Sequence, residues 1–162
     1  HLSVHSFPTR RSSDLDVARL ERTVLEALHA ADAEPLAAVA LTRLGDAAAT
    51  ATFEPHPSAR VVASPHPVAS LWRAHRHRAD DGPVHVAGRA ETALVTRPGG
   101  QVTVHTLTPA AGRFAAGLLA GATAEMAAEA AFDRDPQFDP LTAWQPLLAA
   151  GALAKIQPGD GR

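Results

Sequence analysis

The stretch Glu91-Thr92-Ala93-Leu94-Val95-Thr96-Arg97-Pro98-Gly99-Gly100-Gln101-Val102-Thr103-Val104-His105-Thr106-Leu107 decides the fold of the C-terminal half. Two β-prone runs, 91–96 and 101–107, flank Arg97-Pro98-Gly99-Gly100, where proline presets one φ and glycine permits the positive φ that follows. That is the pattern of a β-hairpin. Directly after it, Thr108-Pro109 offers an N-cap oxygen and a proline at the first helical position, and Phe114 and Leu118 carry an apolar stripe on to Gly121. Thr123 caps a further helix bearing Met126 and Ala130. Asp139-Pro140 repeats the cap-and-proline signal before Leu141, Trp144 and Leu148, and Gly151 ends that helix. A short apolar tail, 152–156, closes the series. A hairpin followed by three helices is the order of a winged-helix-like module.

Upstream, Val17, Leu20, Val24 and Leu28 recur at spacings of three and four, the stripe of an amphipathic helix running from Asp16 to near Asp32. Pro35 opens a shorter helical run through Leu36, Val39 and Leu44, stopped by Gly45. Residues 51–54 and 60–63 read as two short strands, with a turn at His56-Pro57-Ser58 because proline fixes φ and serine bonds local backbone. Residues 67–76 read as a helix that turns Trp72 inward. Residues 78–83 form a polar loop and the internal hinge, so two sub-units are expected, at about 16–78 and 84–158. The class predicted is α+β.

The 162 residues, 46% of them hydrophobic, suffice for one core. With no cysteine, the chain has no disulfides, thiolate metal sites or cysteine nucleophiles. A formal charge of −2 gives no bulk attraction to nucleic acid or anionic membrane. No apolar run approaches the roughly 18 residues of a membrane span, so a cytoplasmic location is expected. His66, His75, His77 and His85, with Asp80 and Asp81 among them, raise a metal site. However, His75 and His77 would diverge on a helix, and no metal or other cofactor is expected. Arg73, His75, Arg76, His77 and Arg78 form the one basic cluster. Arg73, Arg76 and Arg78 are candidates for contact with a partner or an anion, against the plainer reading of a solvated helix end. The run from Asp133 to Asp139 fails as a calcium loop, having Phe138 where the turn needs glycine and Trp144 where a bidentate glutamate belongs. No nucleophile elbow, phosphate loop, dinucleotide fingerprint or zinc-protease motif occurs, so no catalytic set can be named and no enzyme is expected.

Three resemblances add to this reading. His5-Ser6-Phe7-Pro8-Thr9-Arg10-Arg11-Ser12-Ser13-Asp14-Leu15 resembles one translated frame of a short-read sequencing adapter, which leads us to expect an unstructured segment over 1–15. Beyond it, the motifs Asp16-Val17-Ala18-Arg19-Leu20-Glu21, His29-Ala30-Ala31-Asp32-Ala33, His56-Pro57-Ser58-Ala59-Arg60 and Pro67-Val68-Ala69-Ser70-Leu71-Trp72-Arg73 follow one another along the chain. In that order the four resemble the C-terminal domain of the HvfC/BufC family, a family often labelled DNA-binding. That likeness implies a non-catalytic partner of a multinuclear iron oxidase that converts cysteines of a precursor peptide into copper-binding groups. It also implies a family N-terminal helical domain that is missing here, and it departs from the family pattern where Arg22, not an aromatic, follows Glu21. The last segment, from Leu107-Thr108-Pro109 to Leu147-Leu148-Ala149-Ala150-Gly151-Ala152-Leu153, is similar to the PqqD-type peptide recognition element. There a leader peptide would add as a strand to an exposed hairpin edge. The candidates so implied are Val102, Val104 and Thr106 on the edge strand and Trp144 and Leu148 on the last helix, each also compatible with plain core packing.

The rival reading is a winged-helix-like DNA-binding regulator. It meets an electrostatic obstacle, because the helix from Thr123 carries Glu125 and Glu129 without Lys or Arg, and the helix from Asp139 has no basic residue.

Overall fold

The computed structural model describes residues 8–78, 86 and 88–159. In chain order the elements are α1 (Pro8–Leu28), α2 (Ala38–Leu44) running into a 3-10 segment (Gly45–Ala49), β1 (Thr52–Pro55), β2 (Arg60–Ser64), α3 (Val68–Arg76) and β3 (Glu91–Thr96). A 3-10 turn (Pro98–Gly100), β4 (Thr103–Leu107), α4 (Pro109–Leu119), α5 (Ala124–Arg134), α6 (Pro140–Ala149) and β5 (Leu153–Gln157) follow. The class is α+β, and the order of hairpin and three helices is as expected.

The strands make two antiparallel sheets, one of order β2-β3-β4 and one pairing β1 with β5. Strand residues alternate between faces, and this sorts the larger sheet between two cores. Val62, Ala93 and Val95 pack with Val17 and Leu20 of α1 and Val68 of α3. Leu94 and Leu107 point the other way, into a larger core with Phe53, Phe114, Leu118, Leu147 and Leu153. An aromatic chain runs through that core, Phe53 to Trp144 to Phe114 to Phe138 to Phe132, with ring centroids 5.2–5.5 Å apart. Helix α4 lies so close to the sheet that a Cβ on Gly112 would meet Thr92 Oγ1 at 2.2 Å.

Several expectations are corrected. Helix α1 starts at Pro8, eight residues before the expected Asp16. Proline suits the first helical position, and the added turns are tied down where Ser12 Oγ meets His66 Nε2 at 3.0 Å. The expected unstructured segment therefore does not hold for residues 8–15. Helix α2 begins at Ala38 and not at Pro35, because the Leu36 N–H donates to Leu153 O at 2.7 Å and holds that stretch extended against β5. The apolar tail is itself a strand. The two sub-units are not separable, since β1 pairs with β5 and β2 with β3, so each sheet draws strands from both. Most of the expected hinge, 79–83, lies outside the described residues.

Candidate functional site

The sheet's hydrogen-bond directions identify its free backbone. The Arg97 N–H donates to Ser58 Oγ at 2.7 Å and the Glu91 N–H to His66 O at 3.2 Å, both toward the β2 side. Directions alternate along a strand, so odd-numbered residues of β3 bond toward β2 and even-numbered ones toward β4. In the observed register, Thr103, His105 and Leu107 of β4 face inward, leaving Val104 and Thr106 on the outer edge.

That edge is partly occupied. The Arg73 guanidinium donates through Nη2 to Val104 O at 2.5 Å and through Nη1 to Thr106 Oγ1 at 2.7 Å. A charged side chain laid along an outer strand blunts it against further pairing. Val102 falls before β4 begins, because the 3-10 turn with Gly99 at φ 73° and Gly100 at φ 92° lengthens the connection. The side chains of Val102 and Val104 pack against the α1/α3 core.

Trp144 and Leu148 lie elsewhere. They line a cavity of about 480 Å³ with Ala38, Leu141 and Gln145, and Trp144 belongs to the core on the opposite face of the sheet from Val104. The five candidates therefore do not form one site. Thr106 alone reaches α6, across a cavity of about 430 Å³ shared with Thr142 and Gln145.

The basic cluster also divides. Arg73 is used on β4, Arg76 stacks over the Trp72 ring at 4.9 Å, and Arg78 is half-buried. Stacking of this kind holds a guanidinium against the protein surface, so Arg73 and Arg76 are each engaged within the chain. His66, His75 and His77 join no metal-binding group among the described residues; Asp80, Asp81 and His85 lie outside them. One amendment to the acidic helices follows from the observed boundaries: α5 extends through Arg134, which gives it a single cation in its last turn.

Two features escaped the sequence reading. The first is a buried pair, His56 and Ser58, 1% and 0% exposed. The His56 Nε2–H donates to Ala33 O at 3.0 Å, and the Ser58 hydroxyl donates to His56 Nδ1 at 2.8 Å. Ser58 Oγ in turn accepts the Arg97 N–H. Serine beside an imidazole is the geometry of an activated nucleophile, but here both groups are sealed from solvent and committed to backbone partners, so the pair locks the corner between β1 and β2. The second feature is a groove of about 600 Å³ along the outer side of β2, lined by Val61, Ala63, Arg113 and Arg134 among others. Residues 60–63 read as a strand, but nothing local marks it as a sheet's outermost strand.

His105 on β4 is held below its ordinary value of 6.5, first by desolvation on burial and then by the positive charge of Arg73. The unfolded chain therefore takes up this proton at higher pH than the folded one. The neutral imidazole's contribution is complete above about pH 6.5 and is lost as pH falls through that value toward the folded one. The urea midpoint should drop on acidification from about pH 7 to pH 5.5, and His105→Gln should reduce that drop relative to the parent chain.

Set against known proteins, the chain has no match: no family model, curated protein or solved structure corresponds to it. Among the described residues, no helix is long and apolar enough to cross a membrane.

Proposed function

We propose that this chain is a non-catalytic partner protein that binds an extended precursor peptide by strand addition and presents it to a multinuclear iron oxidase making copper-binding groups. The observation that carries this reading is the three-stranded sheet, whose faces are both covered by helices while its outer strands end the ladder. A chain arriving at such a sheet can bond only along an edge, where unpaired N–H and C=O groups supply affinity and register. The short motifs shared with the HvfC/BufC family point to the same class of partner. The DNA-binding alternative has less support, because α5 sets Glu125 and Glu129 against one arginine and α6 has no cation.

The test is co-purification of the chain with the oxidase and the small cysteine-bearing peptide encoded beside its gene. Retention of both is expected, with no salt-dependent mobility shift of duplex DNA. Loss of both partners together with a shift that weakens as salt rises would reverse the assignment.

A further inference from the structure

We infer that the receiving edge is β2, and that the peptide it takes is extended and acidic. This rests on the strand-addition reading above. In the β2–β3 register Arg60 pairs with Val95, Val62 with Ala93 and Ser64 with Glu91. Since odd-numbered residues of β3 bond toward β2, these three face inward, and Val61 and Ala63 turn their N–H and C=O groups away from the sheet. No described residue bonds those groups. The opposite edge, β4, already has Arg73 on Val104 O. The freer ladder is therefore the one on β2.

The groove beside that ladder selects the sequence of its occupant. Its floor is apolar, formed by Val61 and Ala116, and its lining includes Arg113 of α4 and Arg134 at the end of α5 but no aspartate or glutamate. Both arginines are exposed, and neither has a carboxylate within ion-pair distance among the described residues. A strand laid on β2 sends alternate side chains toward this groove. Carboxylates at those positions would meet two guanidinium groups, each able to take a carboxylate in a two-pronged bond. A basic peptide would face the same two charges with nothing to offset them.

The test uses the full chain and a short synthetic peptide alternating Val with Asp. The controls are an analogue alternating Val with Lys and the Asp peptide N-methylated at every residue, which has no N–H left to donate along either edge. The Asp peptide should bind saturably and slow amide exchange at Val61 and Ala63; both controls should bind about tenfold more weakly or worse. Ala63→Pro removes one outward N–H without touching the β2–β3 ladder, a place where an outer strand tolerates proline. It should weaken binding about tenfold, and Arg113→Glu with Arg134→Glu should do the same without touching any backbone group. Thr106→Pro on β4 should leave binding unchanged. Binding lost in Thr106→Pro and kept in Ala63→Pro would overturn the assignment to β2 while leaving strand addition standing. Equal binding of the N-methylated peptide, or no binding of any peptide, would overturn strand addition itself.

Discussion

Replacing Phe114 with alanine should lower the free energy of unfolding by about 3–5 kcal/mol. The effect should read out as a lower urea midpoint at unchanged slope. Phe114 is 1% exposed and stands at the centre of the aromatic chain, 5.5 Å from the ring of Phe138 and 5.2 Å edge-on to Trp144. Its removal deletes contacts with α6 and with the α5–α6 connection and opens a void that α4 cannot close, because Gly112 already presses α4 against Thr92. With a total stability of about 5–15 kcal/mol for a domain of ordinary size, the loss is a large share of the margin. Phe132, at the far end of the same chain and 42% exposed, is the internal control. Its change to alanine should cost much less, since its ring is already partly in water. Equal costs at the two positions would place the centre of the larger core elsewhere.

The contrast between near and distant partners also separates what was legible in the sequence from what was not. All three C-terminal helices begin where their caps predict, with Thr108 accepting from the Ala111 N–H, Thr123 from Met126 and Asp139 from Leu141. Each cap is a bond between a side chain and backbone two or three residues away, so it is written in local sequence. The tail at 152–156 looked only apolar because its strand partner is β1, about a hundred positions upstream. Alternation places Val102, Val104 and Thr106 on one side of a strand, but which helices cover that side is a tertiary fact. This is why Val104 and Trp144 fall on opposite faces of the sheet. Arg73 likewise reads as the basic end of a helix, and its partners on β4 lie more than thirty residues ahead. Gly112 in mid-helix looks like a weak point until Thr92 is seen against it.

His56→Ala should destabilise the chain by about 2–4 kcal/mol, with no change in any hydrolytic activity. The imidazole joins Ala33 O to Ser58 through its two nitrogens, and Ser58 passes the connection on to the Arg97 N–H. Without it, the serine hydroxyl loses its acceptor and the Ala33 carbonyl its donor. Buried polar groups left this way cost about 1–3 kcal/mol each. Ser58→Ala should cost less, because the backbone N–H of residue 58 still reaches His56 Nδ1 and only the Arg97 N–H loses its acceptor outright. The ordering of the two variants is therefore part of the prediction. A catalytic dyad predicts something else: a fluorophosphonate would label Ser58, and His56→Ala would abolish labelling while leaving stability nearly intact. With Ser58 at 0% exposure and its oxygen engaged on both sides, no labelling of the folded chain is expected. Labelling at Ser58 under native conditions would make this chain an enzyme and displace its reading as a partner that presents a peptide to another protein's chemistry.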